Sequence, residues 1–210
     1  MGLESNNFSS NVFINCPFDE EYKNLLRPML FTILFLGKLP RIASERSDSA
    51  EVRIKKICEL LSESQWSIHD ISRIKTNPSG GYSRLNMAFE LGIDFGAREF
   101  GSNNHQSKKL LVLEENPYDY KHVLSDISGS DIKHHKKDPR EIVRAVRDWF
   151  YETVGMKSAP SANIIWYGFA DFSNYLFDER KSKGGTDHDV SEDIERMPVS
   201  EFITKARNWI

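Results

Sequence analysis

Short apolar runs alternate along this chain with stretches of helical periodicity, and that switching narrows the available folds more than any other feature. A strand-like run, an amphipathic helix and another strand-like run make a βαβ unit, in which the helix carries the chain back so that the strands lie parallel. Asn11 to Cys16 (NVFINC) is the first run, stopped by Pro17. Glu20 to Leu36 follows with Tyr22, Leu25, Leu26, Met29, Leu30, Ile33 and Leu34 on a wide apolar surface, and Gly37 closes it. Pro28 inside this pattern predicts a kink or a later true start. Pro40 to Glu45 gives a second strand. Asp48 to Glu51 then offers a capped start for a helix carrying Ala50, Ile54, Ile57 and Leu61. Trp66 to Ile71 is a third strand, Ser72 to Tyr82 a loop, Ser83 to Phe100 a third helix, and Lys109 to Glu114 a fourth strand.

Beyond Pro117 the pattern supports a small helix and a short last strand around Ile132. Asp138-Pro139-Arg140-Glu141 starts a helix to Val154, stopped by Gly155. Ser158 to Ser161 is a linker, and Asn163 to Ile210 is helical, split by a polar loop from Lys181 to Asp189. The expectation is an α/β, flavodoxin-like open parallel sheet of four to five strands in the order 2-1-3-4 and onward, with helices on both faces. It spans 10–155, and a C-terminal helical extension over 162–210 packs on it. The extension holds Trp166, Tyr167, Phe169, Phe172, Tyr175, Leu176 and Phe177, too aromatic to stand in water, so it packs on the core or forms an interface.

Composition excludes several classes. A chain of 210 residues, 39% hydrophobic, buries enough surface to need no metal or disulfide staple. Lys and Arg (28) do not exceed Asp and Glu (31), which argues against a duplex nucleic-acid partner. Cys16 and Cys58 are too few for a disulfide framework or a zinc site. The polar start is no signal peptide, and the longest apolar stretch, Met29 to Leu36, falls short of the ~20 residues that span a bilayer. A cytoplasmic protein without membrane or metal partners is expected.

Parallel open sheets bind ligands beyond the carboxyl ends of their strands. That rule selects Asn15, Phe18 and Asp19 after the first strand, Glu45 and Arg46 after the second, Asp70, Ser72 and Arg73 after the third, and Glu114 after the fourth. The third helix adds Asn86, Glu90 and Asp94, spaced i, i+4, i+8 along one stripe. Gly92 and Gly96, four apart, predict a close approach of this helix to the sheet. Glu90 is either a carboxylate in a cleft, suited to acid–base or nucleophilic chemistry, or a solvated surface residue. Asp70 is either a crevice residue or a turn cap. Arg46, Arg73 and Arg84 have the fork that fits phosphate oxygens, or they pair with neighbouring carboxylates. Lys133 to Lys137 (KHHKK) reads as a solvated basic loop, and Asn77 to Gly81 lacks the ending of a phosphate loop and is a surface loop or a lid.

Two segments carry a resemblance. VFINCPFDEEY (Val12 to Tyr22) is similar to the opening strand and loop of TIR (Toll/interleukin receptor) domains. Ser67 to Ser72, a loop, and NMAFELG (Asn86 to Gly92) resemble their third strand and catalytic-glutamate helix. The same stretch, followed by Lys108 to Leu113, also resembles the nucleoside 2-deoxyribosyltransferases. The likeness covers about residues 10–150, with Asn86 and Met87 where TIR domains usually carry an aromatic–Cys pair. It implies a TIR-like fold and cleavage of an N-glycosidic bond, with Glu90 beside the sugar and NAD as substrate rather than cofactor. Asp19, Asp70 and Asn86 would bind ribose hydroxyls or a base edge, Arg46, Arg73 and Arg84 would meet the pyrophosphate, and Phe18 or Tyr82 would stack on a base. It also implies a homo-oligomer, active on assembly, as in bacterial antiphage immunity. The competing readings are a nucleoside deoxyribosyltransferase-like enzyme and a non-catalytic nucleotide sensor or assembly adaptor.

Overall fold

The computed structural model describes residues 8–74 and 85–210. Five parallel strands make one sheet in the order β2-β1-β3-β4-β5. They are β1 Asn11–Asn15, β2 Leu39–Ile42, β3 Trp66–Asp70, β4 Lys109–Glu114 and β5 Lys133–His134. The flavodoxin-like order expected from the sequence is present, and between β1 and β3 the order in which strands are added reverses, from one edge of the sheet to the other. That is the switch point where such sheets open a crevice.

Helix α1 (Lys23–Phe35) is entered through a tight turn, Glu20–Tyr22, that Asp19 caps by accepting from the Tyr22 amide at 3.0 Å. Pro28 stays inside α1 and costs one backbone bond, the one owed to the Asn24 carbonyl. Gly37 ends the helix at φ +70°, a conformation other residues adopt at a cost. β2 is shorter than expected: Glu45 accepts from Arg41 and from the Ile42 amide, and this winds Ala43–Glu45 into a turn. Helix α2 (Arg53–Ser62) starts later than expected, because Asp48 accepts from the Ala50 amide and closes a local turn. Ile54 therefore stays exposed, and Ile57, Leu60 and Leu61 carry the packing.

Helix α3 (Asn86–Phe100) buries Met87, Glu90, Leu91 and Asp94. The expected close approach through Gly92 and Gly96 is not found, for a side chain at either would meet open space. After a short helix, α4 (Asn103–Gln106), and β4, two tight turns at Asp119–His122 and Ser125–Ile127 replace a covering helix. Leu110 and Val112 thus line an open cavity of about 820 Å³ with Leu91 and Phe95 of α3. Helix α5 (Pro139–Trp149) is capped by Asp138 and passes into a wider turn at Phe150–Val154.

The two faces of the sheet differ. α1, α5 and the extension, formed by α6 (Ala162–Lys181), α7 (Asp187–Glu195) and α8 (Val199–Trp209), enclose the main apolar core with Val12, Ile14, Ile68, Leu111 and Leu113. Phe31 of α1 is the joint, its ring 5.6–6.0 Å from those of Phe35, Phe169, Phe172 and Trp209. Gly168 lets α6 close on α1, since a methyl there would stand 3.1 Å from the Phe35 ring. The extension's aromatics therefore mostly serve packing, with Tyr167 and Tyr175 left exposed. The α2/α3 face has a small apolar cluster (Phe13, Ala43, Ile57, Leu60, Leu61) and, beside it, the buried polar side chains Asn15, Ser67, His69, Asp94 and Lys108. Among the described residues, no helix is long and apolar enough to cross a membrane.

Candidate active site

Strand alternation sends His69 and Asp70 to opposite faces of the sheet, and two polar clusters follow from it. On the α1/α5 face, Asp70 is fully buried and accepts from Tyr22 Oη, from the Ser72 amide at 2.9 Å and from the Ser72 hydroxyl. His135 Nε2 lies 3.0 Å from Asp70 Oδ2 and 2.9 Å from Ser72 Oγ. The Lys137 amide donates to His135 Nδ1 at 3.1 Å, so the ring proton sits on Nε2 and points at Asp70. Burial, then the Asp70 charge, pushes the Tyr22 phenol well up, which keeps its proton available to Asp70. His135 is only 1% exposed, so the expected solvated basic loop needs correcting at this residue. The turn that buries it runs through Lys136 and Lys137, both left-handed at φ +51° and +58°. Asp70 and Ser72 are thus bound to each other and to α1, and they are supplied from the face opposite Glu90.

On the α2/α3 face stands Glu90. Its residue is 5% exposed, and among the described residues it accepts no hydrogen bond. Its one ionic neighbour there is Arg53 Nη2 at 3.8 Å. Burial raises the Glu90 carboxyl above the ordinary range, with Arg53 and then His69 pulling the other way. Arg53 also lies over the ring of Phe18, 5.7 Å from its centroid, and Phe18 is 43% exposed at the rim. Asn15, the last residue of β1, reaches one turn before Glu90 by donating to the Met87 carbonyl at 2.8 Å. The Cys16 thiol is pushed well up by burial and then by the charges of Asp70, Glu90 and Asp19, so it stays a thiol and is no nucleophile.

Beneath Glu90 a buried row crosses the sheet. His69 Nε2 is 2.9 Å from Asp94 Oδ2, which also accepts from Ser67 Oγ, and Lys108 Nζ is 3.1 Å from Asp94 Oδ1. Burial alone would raise the Asp94 carboxyl, but His69, Lys108 and Ser67 together hold it below the ordinary range. Lys108 also donates to the Leu61 and Ser64 carbonyls, and it meets Asp94 Oδ1, which accepts no hydrogen bond among the described residues, as a charge partner.

The remaining expected residues divide clearly. Asp19 pairs with Arg73 at 3.0 and 3.2 Å, and Arg73 also takes Glu21. Arg46 pairs with Glu51 and Glu59, and Glu45 with Arg41. Glu114 accepts from the Tyr118 and Tyr120 amides and shapes the following turn. Asn86 is exposed at the start of α3. Tyr82 and Arg84, with the loop from Asn77 to Gly81, lie outside the described residues. The structure therefore brings Asn15, Phe18 and Glu90 together beyond the carboxyl end of β1. It adds Arg53 and His69, which the sequence pattern did not single out. Comparison with family models, with curated proteins and with solved structures returns no match in any of the three.

Proposed function

We propose that this site cleaves the N-glycosidic bond of a nicotinamide nucleotide, NAD being the simplest candidate, with Glu90 as the carboxylate beside C1′. The observation that carries the reading is the state of Glu90: buried at the switch point, without a hydrogen bond among the described residues, and with Arg53 no closer than 3.8 Å. A carboxylate so placed is held at the expense of folding stability, which is common at sites built for a ligand. Breaking the bond between C1′ and a base puts positive charge on the sugar. A desolvated anion about 3 Å away stabilises that charge far better than water does.

The leaving group decides between the two enzymatic readings. A neutral base must be protonated as it departs, whereas nicotinamide already carries positive charge in the nucleotide and leaves neutral. The other buried carboxylates at the described strand ends are occupied, Asp70 by Tyr22, Ser72 and His135 and Glu114 by the Tyr118 and Tyr120 amides. One carboxylate and no acid suits the nicotinamide nucleotide better than a nucleoside. Phe18 offers a face for a base, and Arg53, more than half exposed, is placed to meet a phosphate. Self-association and a part in antiphage defence belong to the same proposal through the TIR-like resemblance. A fluorogenic etheno-NAD and free deoxynucleosides are offered to the chain and to Glu90→Gln. Turnover of the dinucleotide alone, lost in the variant, is expected. Deoxynucleoside turnover, or equal turnover in both chains, refutes the reading.

A further inference from the structure

The row beneath Glu90 fixes a proton, and through it the orientation of an amide. Asn15 Nδ2 lies 2.8 Å from the Met87 carbonyl oxygen and 3.0 Å from His69 Nδ1. An amide nitrogen only donates, so both of its hydrogens are used and His69 Nδ1 must present a lone pair. The ring proton is then on Nε2, directed at Asp94 Oδ2 2.9 Å away. Asp94 cannot exchange roles with the ring, because Lys108 at 3.1 Å and the Ser67 hydroxyl hold it as an acceptor. The consequence falls on Asn15 Oδ1. It accepts from none of the described residues, and it belongs to the last residue of β1, at the carboxyl end of the sheet.

We infer that His69, held by Asp94, is a positioning residue that keeps the Asn15 amide with its nitrogen inward. The site then offers two acceptors, Asn15 Oδ1 and the Glu90 carboxylate, to a sugar carrying adjacent hydroxyl donors. Asn15 is anchored to the Met87 carbonyl, one helical turn before Glu90 on α3, which sets the amide at the same end of the helix as the carboxylate. The substrate class is a ribonucleotide, and the 2′-deoxy sugar is rejected because it leaves a desolvated acceptor unpaired. This selection rests on the reading of Glu90 given above, but the ring tautomer does not.

Two measurements separate the claims. A long-range ¹H–¹⁵N spectrum of the whole chain, with the His69 signals assigned by their loss in His69→Asn, shows Nε2 protonated and Nδ1 bare. The opposite tautomer overturns the inference whatever the turnover. Glu90→Gln, which retains an acceptor and does not turn over, is then titrated with NAD and with its form lacking the nicotinamide-ribose 2′-hydroxyl. NAD binds about tenfold to a hundredfold tighter, the scale of one buried hydrogen bond. Adding His69→Phe reduces the preference below about threefold, while adding His69→Asn, which keeps an acceptor near the Nδ1 position, preserves it. Equal binding of the two ligands, or a preference that survives His69→Phe, overturns the positioning role and leaves the Glu90 reading standing. Binding of neither ligand overturns both.

Discussion

Lys108→Met removes the ammonium facing Asp94 and keeps most of the stem's volume. Both side chains are fully buried, so water screens nothing when the pair is broken. Asp94 is left with His69 and Ser67 as donors and no compensating charge, and the Ser64 carbonyl loses the ammonium as a donor. Removing one member of such a pair costs about 3–5 kcal/mol, a large part of a total stability of about 5–15 kcal/mol. With a urea slope of about 2 kcal/mol/M, the unfolding midpoint falls by about 1.5–2.5 M. The penalty also has a predicted sign with pH. Asp94 is held below the ordinary carboxyl range, so its contribution is present above that range and is lost as pH falls through its folded value. The two chains therefore converge in acid. In a cycle with Asp94→Asn, the double variant loses at least about 1 kcal/mol less than the sum of the singles. A midpoint shift under about 0.5 M at neutral pH, or a gap that widens in acid, would refute the account of this row.

Three other outcomes are expected. Phe31→Ala opens a hole between α1, α6 and α8 and costs about 3–5 kcal/mol, with the α/β unit and the extension still melting in one calorimetric transition. Glu90→Gln stabilises the chain at neutral pH by about 1 kcal/mol, because it removes an incompletely compensated buried charge. Since the Glu90 carboxyl is raised in the fold, that gain appears as pH climbs through the ordinary carboxyl range and vanishes below it; thermal melts across pH 3–8 read the sign. Glu179, drawn down to about 2 by Lys183 and Lys205, links α6 to α8 near the surface. Glu179→Gln costs under about 1 kcal/mol, and the loss disappears in 1 M salt.

Periodicity made the sheet legible. The runs at Asn11, Trp66 and Lys109 became strands within a residue, because each is short, rich in apolar residues and bounded by turn signals. Boundaries slipped where a side chain captured backbone: Asp48 delayed α2, and Glu45 shortened β2. Glu90 was legible as a stripe residue on α3, but its neighbours were not. His69 sits in a run, WSIHD, that reads as plain strand; only the alternation of Ser67 and His69 signals a polar face awaiting a partner. Arg53 met Glu90 through the packing of α2 on α3, a contact across 37 positions that no local pattern encodes. His135 looked solvated because its basic neighbours are. A turn through two left-handed lysines folds it under Ser72, and no local composition announces that.

The most direct test of the central claim is product analysis by mass spectrometry. Purified chain at high concentration, where any assembly is favoured, is incubated with NAD beside Glu90→Gln of matched fold. Free nicotinamide accumulating with the first and absent with the second is the predicted result. No nicotinamide at any concentration of the unaltered chain, or equal release by both, contradicts a carboxylate acting at the sugar carbon.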